Sequence, residues 1–284
     1  MKDSLSFVSV VIPCRNEERM IEECLVSIVQ NDYPKNRLEV LVVDGVSEDK
    51  TAEIVRKYAE HFPYVRLLSN PKRITPTALN IGIQAAKGDI IMKMDAHTTY
   101  GREYISKCVR YLHEYNADNV GGYLQIMPRK PALMAKAIAF ALANVFGSGR
   151  SDVKIAAFKP RWADTVAFGC YRREVFDTIG LYNENLVRSQ DLELNRRLKM
   201  GGGKILLAPD ITASYYPNAT LGGFLKHNFL DGIWATYPMK FVSILFPLRY
   251  FVPGLFVFVL VLLFTLSFFT PLFLYAFMSI IILY

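Results

Sequence analysis

Asp89-Ile90-Ile91-Met92-Lys93-Met94-Asp95-Ala96-His97 is the stretch that decides how this chain folds. Its first six residues form a short apolar run that predicts a buried strand. The run ends on a carboxylate and an imidazole two residues apart. Residues i and i+2 of a strand face the same side, so Asp95 and His97 can converge on one ion at the strand's carboxyl end. Carboxylate oxygen with imidazole nitrogen suits Mn2+ or Mg2+ bridging a diphosphate better than a structural zinc. The tripeptide alone equally allows a carboxylate that caps the next helix, with His97 a bystander.

Upstream, apolar runs alternate with helical periods. Residues 8–13 read as a buried strand closed by Pro13, and residues 17–30 carry helical spacing through Met20, Ile21, Cys24, Leu25 and Ile28. Residues 38–44 form a second strand, and Ser47-Glu48-Asp49-Lys50-Thr51 opens a helix with capping residues. Residues 65–68 are a third strand, residues 77–87 a third helix with Gly88 at its C′ position, and the run into Asp95 a fourth strand. That order implies an α/β fold with a mainly parallel sheet covered by helices on both faces. Such sheets bind ligands at the carboxyl ends of their strands, and Arg15, Asp44 and Asp95 each lie just beyond one.

The second half is less regular. Residues 120–127, 165–169 and 204–208 read as strands, and residues 132–146 as an alanine-rich helix at a membrane interface or in the core. Residues 189–198 form a helix with Asp191 in its first turn, where negative charge is favoured; an N-cap carboxylate is the plainer alternative. Gly201-Gly202-Gly203 precedes a strand and reads as a turn. No GxGxxG follows the first strand, and neither GxxxxGK[ST] nor GxSxG occurs, so a dinucleotide site, a P-loop and a nucleophile elbow are unsupported.

The 284 residues carry 52% hydrophobic side chains, and the excess sits at one end: from Phe251 to Tyr284 there is no Asp, Glu, Lys or Arg. At ~1.5 Å per residue this run exceeds one crossing of a ~30 Å bilayer core. The expectation is a water-soluble domain over residues 1–240 and a membrane anchor over 241–284 with one or two transmembrane helices. The first would span residues 251–270; the second would start at Leu272 after a turn at Pro271. From Leu272 that second segment is short for a span, so the chain is expected to continue past Tyr284 or to complete the helix with a partner. The amino terminus lacks the apolar run of a secretory signal, and Lys226, Lys240 and Arg249 precede the spans. Both place the protein at the cell membrane with the soluble domain facing the cytoplasm. Cys14, Cys24, Cys108 and Cys170 show no CxxC pairing and fit reduced thiols. The formal charge of +7 suits a membrane surface or anionic substrates, and no basic run is dense enough for nucleic acid.

Four segments in order carry a resemblance. Val10-Val11-Ile12-Pro13-Cys14-Arg15-Asn16-Glu17, Val42-Val43-Asp44-Gly45-Val46-Ser47-Glu48-Asp49-Lys50-Thr51, Asp95-Ala96-His97 and Gln190-Asp191-Leu192-Glu193-Leu194-Asn195-Arg196 resemble glycosyltransferase family 2 over about residues 7–240. These are inverting, nucleotide-sugar-dependent enzymes with the Rossmann-like GT-A fold. Within the family the pattern is most similar to the succinoglycan-biosynthesis type. The resemblance implies that Pro13, Arg15 and Glu17 line the nucleotide pocket and that Asp44 hydrogen-bonds a uracil ring. It implies that Asp95 coordinates the divalent metal with His97 beside it, and that Asp191 is the general base. Arg73 would lie near the nucleotide and Gly169 near the sugar.

Two positions depart from the family pattern: Gly45 replaces a second acid, and His97 replaces the last Asp of Asp-x-Asp. Imidazole favours Mn2+ over Mg2+. The segment Lys226-His227-Asn228-Phe229-Leu230-Asp231-Gly232-Ile233-Trp234 sits where processive members carry a basic-aromatic motif and does not reproduce it. The implied function is metal-dependent transfer from a UDP-sugar to a lipid-linked saccharide or polysaccharide precursor at the membrane. A nucleotide-sugar-binding or assembly subunit without catalysis is the alternative. A transporter is not expected, because the apolar tail carries no intramembrane charge.

Overall fold

The first half folds as its alternating pattern requires. In the computed structural model, which describes residues 5–129, 131–143, 159–217, 220–237 and 252–283, the order is β1 (Val8–Cys14), α1 (Ile21–Val29), β2 (Leu38–Asp44), α2 (Thr51–His61), β3 (Val65–Ser69), α3 (Thr75–Ala85) and β4 (Ile90–Lys93). β1 lies between β2 and β4, β3 flanks β2, and all three pairings are parallel. Every residue of β2 and β4 is buried, as expected of strands covered on both faces. Alternation along β1 sends Val8, Val10 and Ile12 into the layer with Ile21, Leu25 and Val55 of α1 and α2. Val11 goes to the opposite layer with Ala78, Leu79 and Ile83 of α3.

The second half supplies β5 (Thr98–Tyr100), α4 (Tyr104–Glu114), β6 (Asn119–Ile126), α5 (Leu133–Ala143), β7 (Arg161–Trp162), β8 (Ala167–Arg172), α6 (Arg173–Ile179), α7 (Gln190–Met200), β9 (Ile205–Tyr215) and α8 (Leu221–Thr236). Among the described residues the strands form one nine-stranded sheet in the order β3-β2-β1-β4-β8-β6-β9-β5, with β7 alongside β9. The sheet is mixed and not mainly parallel: β8 runs antiparallel to both β4 and β6, β5 and β7 run antiparallel to β9, and β6 pairs with β9 in parallel. Strands of two or three residues, such as Thr98–Tyr100, are too short to show a period of two, which is why they are invisible in the sequence.

Two boundaries differ from expectation. α3 stops at Ala85 with an extended Ala86 at its C-cap, so Gly88 closes no helix. Gly88 is where the chain passes β1: a Cβ there would sit 2.6 Å from the Phe7 carbonyl oxygen and 2.7 Å from the Ser9 nitrogen. The predicted helix at 132–146 is seen as far as Ala143, and residues 144–146 lie outside the described residues.

The chain divides into two units at Trp234 and Ala235. The expected boundary at residue 240, together with Lys240, Arg249 and Phe251, lies outside the described residues. The second unit contains α9 (Val252–Leu266) and α10 (Pro271–Leu283), which pack through Phe264 and Phe277 at 5.7 Å between ring centroids. Their 15 and 13 residues correspond to roughly 22 and 20 Å of helix. Among the described residues no helix is long and apolar enough to cross a membrane. The turn from Ser267 to Thr270 divides the uncharged run, and Pro271, lacking an amide proton, starts the next helix.

The crossing at Gly88 gives a stability prediction. Gly88→Ala should cost about 2 kcal/mol and lower the melting temperature by roughly 4–8 °C. An unchanged thermal melt would contradict the close approach.

Candidate active site

Loops leaving the carboxyl ends of β1, β2, β3 and β4 meet the start of α7 around one cavity of about 320 Å3. Three of these loops and the residue before α7 carry a non-glycine residue in the left-handed region: Asn16 (φ 55°), Val46 (57°), Arg73 (61°) and Ser189 (58°). Each costs about 1–2 kcal/mol relative to ordinary backbone, and a β-branched valine is the most unusual occupant. The first two are held by lacing between the loops. The Asn16 amide donates to Ser47 Oγ, the Glu48 amide to Asn16 Oδ1, the Glu17 amide to Thr51 Oγ1 and the Glu18 amide to Asp49 Oδ2. The segment Ser47–Thr51 therefore joins two loops as well as opening α2. Glu48 also bridges Arg15 and Arg73 at 3.7 and 3.6 Å, a pair of guanidinium groups gathered at the cavity.

Asp44, at the end of β2, is turned away from this space. Its Oδ2 accepts the Ser47 amide and its Oδ1 accepts Ser47 Oγ, and only its neighbour Gly45 lines the cavity. Gly169 is likewise outside the lining. It is buried in β8, where a Cβ would meet the Tyr171 ring at 2.5 Å and Asn119 Oδ1 at 2.6 Å. Pro13, Arg15, Glu17, Arg73, Asp95, His97 and Asp191 are brought together around the cavity.

Asp95 and His97 share the cavity for a reason other than strand alternation. β4 ends at Lys93, so both sit in the turn towards β5. The turn is fixed by the Asp95 amide donating to the Tyr100 hydroxyl at 2.6 Å and by Cys24 Sγ at the Asp95 carbonyl. Neither residue caps a helix, since α4 starts at Tyr104 with Glu103 at its N-cap. His97 Nδ1 lies 3.1 Å from Glu17 Oε1, and its ring meets Tyr215 edge-on at 5.6 Å. Burial opposes charging of His97, but the hydrogen bond to Glu17 and the charge of Asp95 outweigh it, so its pKa is raised.

Lys93 occupies the centre. Its side chain is 8% exposed, and its ammonium donates to Asp191 Oδ2 and stands 3.5 Å from Asp95 Oδ1. Burial disfavours the charge, yet the two carboxylates overcome it and raise the pKa. A lysine inside an apolar strand has to find such partners, and that was the sequence signal for it. Asp191 Oδ1 is buried and has no hydrogen-bond partner. An unpaired buried acceptor costs about 1–3 kcal/mol. Asn70, also unremarked in the sequence, lines the cavity with a buried, unpaired Oδ1 while its Nδ2 donates to Ile74.

The rest of α7 anchors the helix. Glu193, 1% exposed, accepts two bonds from Arg197, whose guanidinium also reaches the carbonyls of Ile179 and Leu181. Asn195 Oδ1 accepts from Asn119 Nδ2 and the Tyr171 hydroxyl, and its Nδ2 donates to Thr165. Asp191 is left as the carboxylate of α7 at the cavity, and Ser189 is the N-cap, so Asp191 caps nothing.

A divalent cation fits this donor set in one way. Among the described residues no three His, Cys, Asp or Glu side chains are grouped to hold a metal. Asp95 and His97 supply one oxygen and one imidazole, the kind of partial set that substrate phosphates complete. Ligation by His97 would require it to lose its proton.

The chain as a whole is similar to known proteins. The profile of Glycosyl transferase family 2 matches residues 9–180. The chain is 32% identical over 254 residues to the succinoglycan biosynthesis protein ExoA of Rhizobium meliloti (strain 1021), covering 84% of this chain and 76% of that protein. It is 28% identical over 236 residues to the dolichyl N-acetyl-alpha-D-glucosaminyl phosphate 3-beta-D-2,3-diacetamido-2,3-dideoxy-beta-D-glucuronosyltransferase of Methanococcus voltae, covering 80% and 72%. Among solved structures, the mannosyltransferase PcManGT from Pyrobaculum calidifontis in complex with GDP-Man and Mn2+ superposes with a TM-score of 0.65 at 22% identity, covering 87% of this chain and 67% of that one. TarS of S. aureus in complex with UDP-GlcNAc gives 0.57 at 18% identity, covering 81% and 66%.

Lys93 gives the site its first test. Lys93→Met leaves two carboxylates facing without their ammonium and should destabilise the fold by about 3–5 kcal/mol. Adding Asp191→Asn should recover part of that loss in denaturant titrations. Strictly additive losses would mean the two groups are uncoupled.

Proposed function

The chain belongs to glycosyl transferase family 2, and we propose that it moves a sugar from a UDP-linked donor to a lipid-linked saccharide or polysaccharide precursor, with inversion at the anomeric carbon. The observation that carries this reading is Asp191, a carboxylate at the cavity held in place by the Lys93 ammonium. Such a carboxylate is oriented to accept one proton. In the proposed reaction the acceptor hydroxyl attacks the anomeric carbon, the Asp191 carboxylate takes its proton, and the bond to the diphosphate breaks. Lys93 stays on Oδ2, holding the carboxylate in place and balancing its charge until the proton arrives.

The donor side is built from Arg15 and Arg73, whose guanidinium groups suit diphosphate oxygens. Pro13 and Glu17 border the same cavity, and the Asn70 acceptor oxygen suits the imide N–H of uracil. Asp95 and His97 would hold a divalent cation, Mn2+ in preference to Mg2+ because one ligand is nitrogen. That cation, when bound, neutralises charge on the departing diphosphate. The Mn2+ and GDP-Man complex of PcManGT and the UDP-GlcNAc complex of TarS support a nucleotide sugar with a cation on this fold.

The lipid-linked acceptor is supported by the dolichyl phosphate named for the Methanococcus voltae relative and by the uncharged run from Phe251 to Tyr284. We place the protein at the cell membrane, anchored by α9 and α10, with the catalytic unit on the cytoplasmic face. Exposed Leu225, Phe229 and Ile233 on α8 suit an apolar surface as well.

Two experiments test this. A panel of UDP- and GDP-sugars with Mn2+, supplied with a polyprenyl-phosphate-linked saccharide, should reveal one donor that raises the melting temperature and releases its nucleoside diphosphate. In Asp191→Asn that release should fall by about 100- to 10,000-fold with nucleotide binding retained, whereas Asp95→Ala should weaken both. Release at the wild-type rate in Asp191→Asn would overturn the assignment of the base. Removing residues 235–284 should move the protein from the membrane fraction to the soluble one; persistence on the membrane would refute the anchor.

A further inference from the structure

Two consecutive residues just ahead of α7 are gripped by two residues one turn apart on α8. Arg188 Nη1 donates to Asp231 Oδ1 at 2.6 Å, and Ser189 Oγ donates to the Trp234 carbonyl at 2.9 Å. The second oxygen of Asp231 is held by His227 Nε2 at 3.1 Å, one turn back on the same helix. Ser189 is the left-handed N-cap of α7, and its carbonyl accepts the Glu193 amide, the bond that starts the helix. A strained non-glycine residue persists only where its surroundings over-determine it. Here the surroundings are the two bonds to α8, and Asp191 follows two residues later.

We propose that the Arg188–Asp231 ion pair is a positioning device for Asp191, pinning the start of α7 to α8 so that the carboxylate stays at the cavity against Lys93. This rests on the reading of Asp191 as the proton acceptor. The pair is partly exposed, with side chains 33% and 52% accessible, so solvent screening limits its contribution to folding. Neither residue is among those that line the cavity. The role proposed for this pair, three residues from the base, is therefore read in turnover. Its place on α8 is consistent with that division. At 100° per residue His227, Asp231 and Trp234 share one face, while Leu225, Phe229 and Ile233 form the exposed apolar stripe on the other.

The test uses the full chain with the donor selected from the nucleotide-sugar panel. Arg188→Ala, Asp231→Ala, the double variant and the conservative Arg188→Lys are compared for kcat, donor KM and melting temperature. Each alanine variant should lower kcat by about 10- to 100-fold, with donor KM unchanged within about twofold and the melting temperature within about 3 °C. The double variant should be no slower than the slower single variant, because both break one contact, and Arg188→Lys should recover most of the rate. Wild-type kcat in the single variants, losses that multiply in the double, or a loss carried by donor KM would each overturn the proposal. Active Asp191→Asn would remove the base and with it the purpose of the clamp. Inactive Asp191→Asn beside fully active clamp variants would remove the clamp alone. A wild type silent across the panel would overturn both.

Discussion

A single buried ammonium organises the candidate site. Lys93 ends β4 inside a strand whose every residue is buried, so its charge has to be met within the protein. It is met by Asp95, two residues on, and by Asp191, almost a hundred residues away on α7. That requirement ties the turn after β4 to a helix from the opposite half of the chain.

The rest of the site is held by interactions that each compensate for a local cost. Asn16 and Val46 bend into left-handed backbone, and hydrogen bonds between the first two loops hold them there. Ser189 bends in the same way and is held from α8. The expense is concentrated around one cavity, where strained backbone accompanies a binding function more often than it accompanies mere packing. Alternation along β1 between two buried layers and continuous burial on β2 require nothing unusual.

The amino-terminal half was legible because buried parallel strands read as apolar runs and their helices as 3.6-residue periods. Residues 38–44 appear at the expected boundaries, and seven of the proposed site residues meet at one cavity. Three things were not legible. β5 and β7 are too short to carry a period, and β8 turns the sheet from parallel to mixed through pairings no local pattern encodes. Asp44 and Gly169 are not among the cavity-lining residues: Asp44 accepts two bonds from Ser47, and Gly169 packs closely against Tyr171 and Asn119, neither of which a local pattern encodes. Lys93 stood in plain view in the decisive stretch. Its meaning depended on Asp191, which no local reading could bring beside it.

The two kinds of ion pair at the cavity also order what can move when a diphosphate arrives. Glu48 holds Arg15 and Arg73 at 3.7 and 3.6 Å with all three side chains more than 40% exposed. Exposed pairs of this kind are worth ~0–1 kcal/mol, so a diphosphate can draw both guanidinium groups off Glu48 at little cost. Lys93 and Asp191 are different: breaking a buried pair costs about 3–5 kcal/mol, more than a positioning change could recover. The arginines are therefore the adaptable part of the proposed donor site and the lysine–aspartate pair its fixed part. A proposed base that stays put while donor-side groups rearrange is held in the same place before and after the donor binds. That is the preorganisation a single displacement needs, since a carboxylate that had to be repositioned at each turnover would add that cost to the barrier.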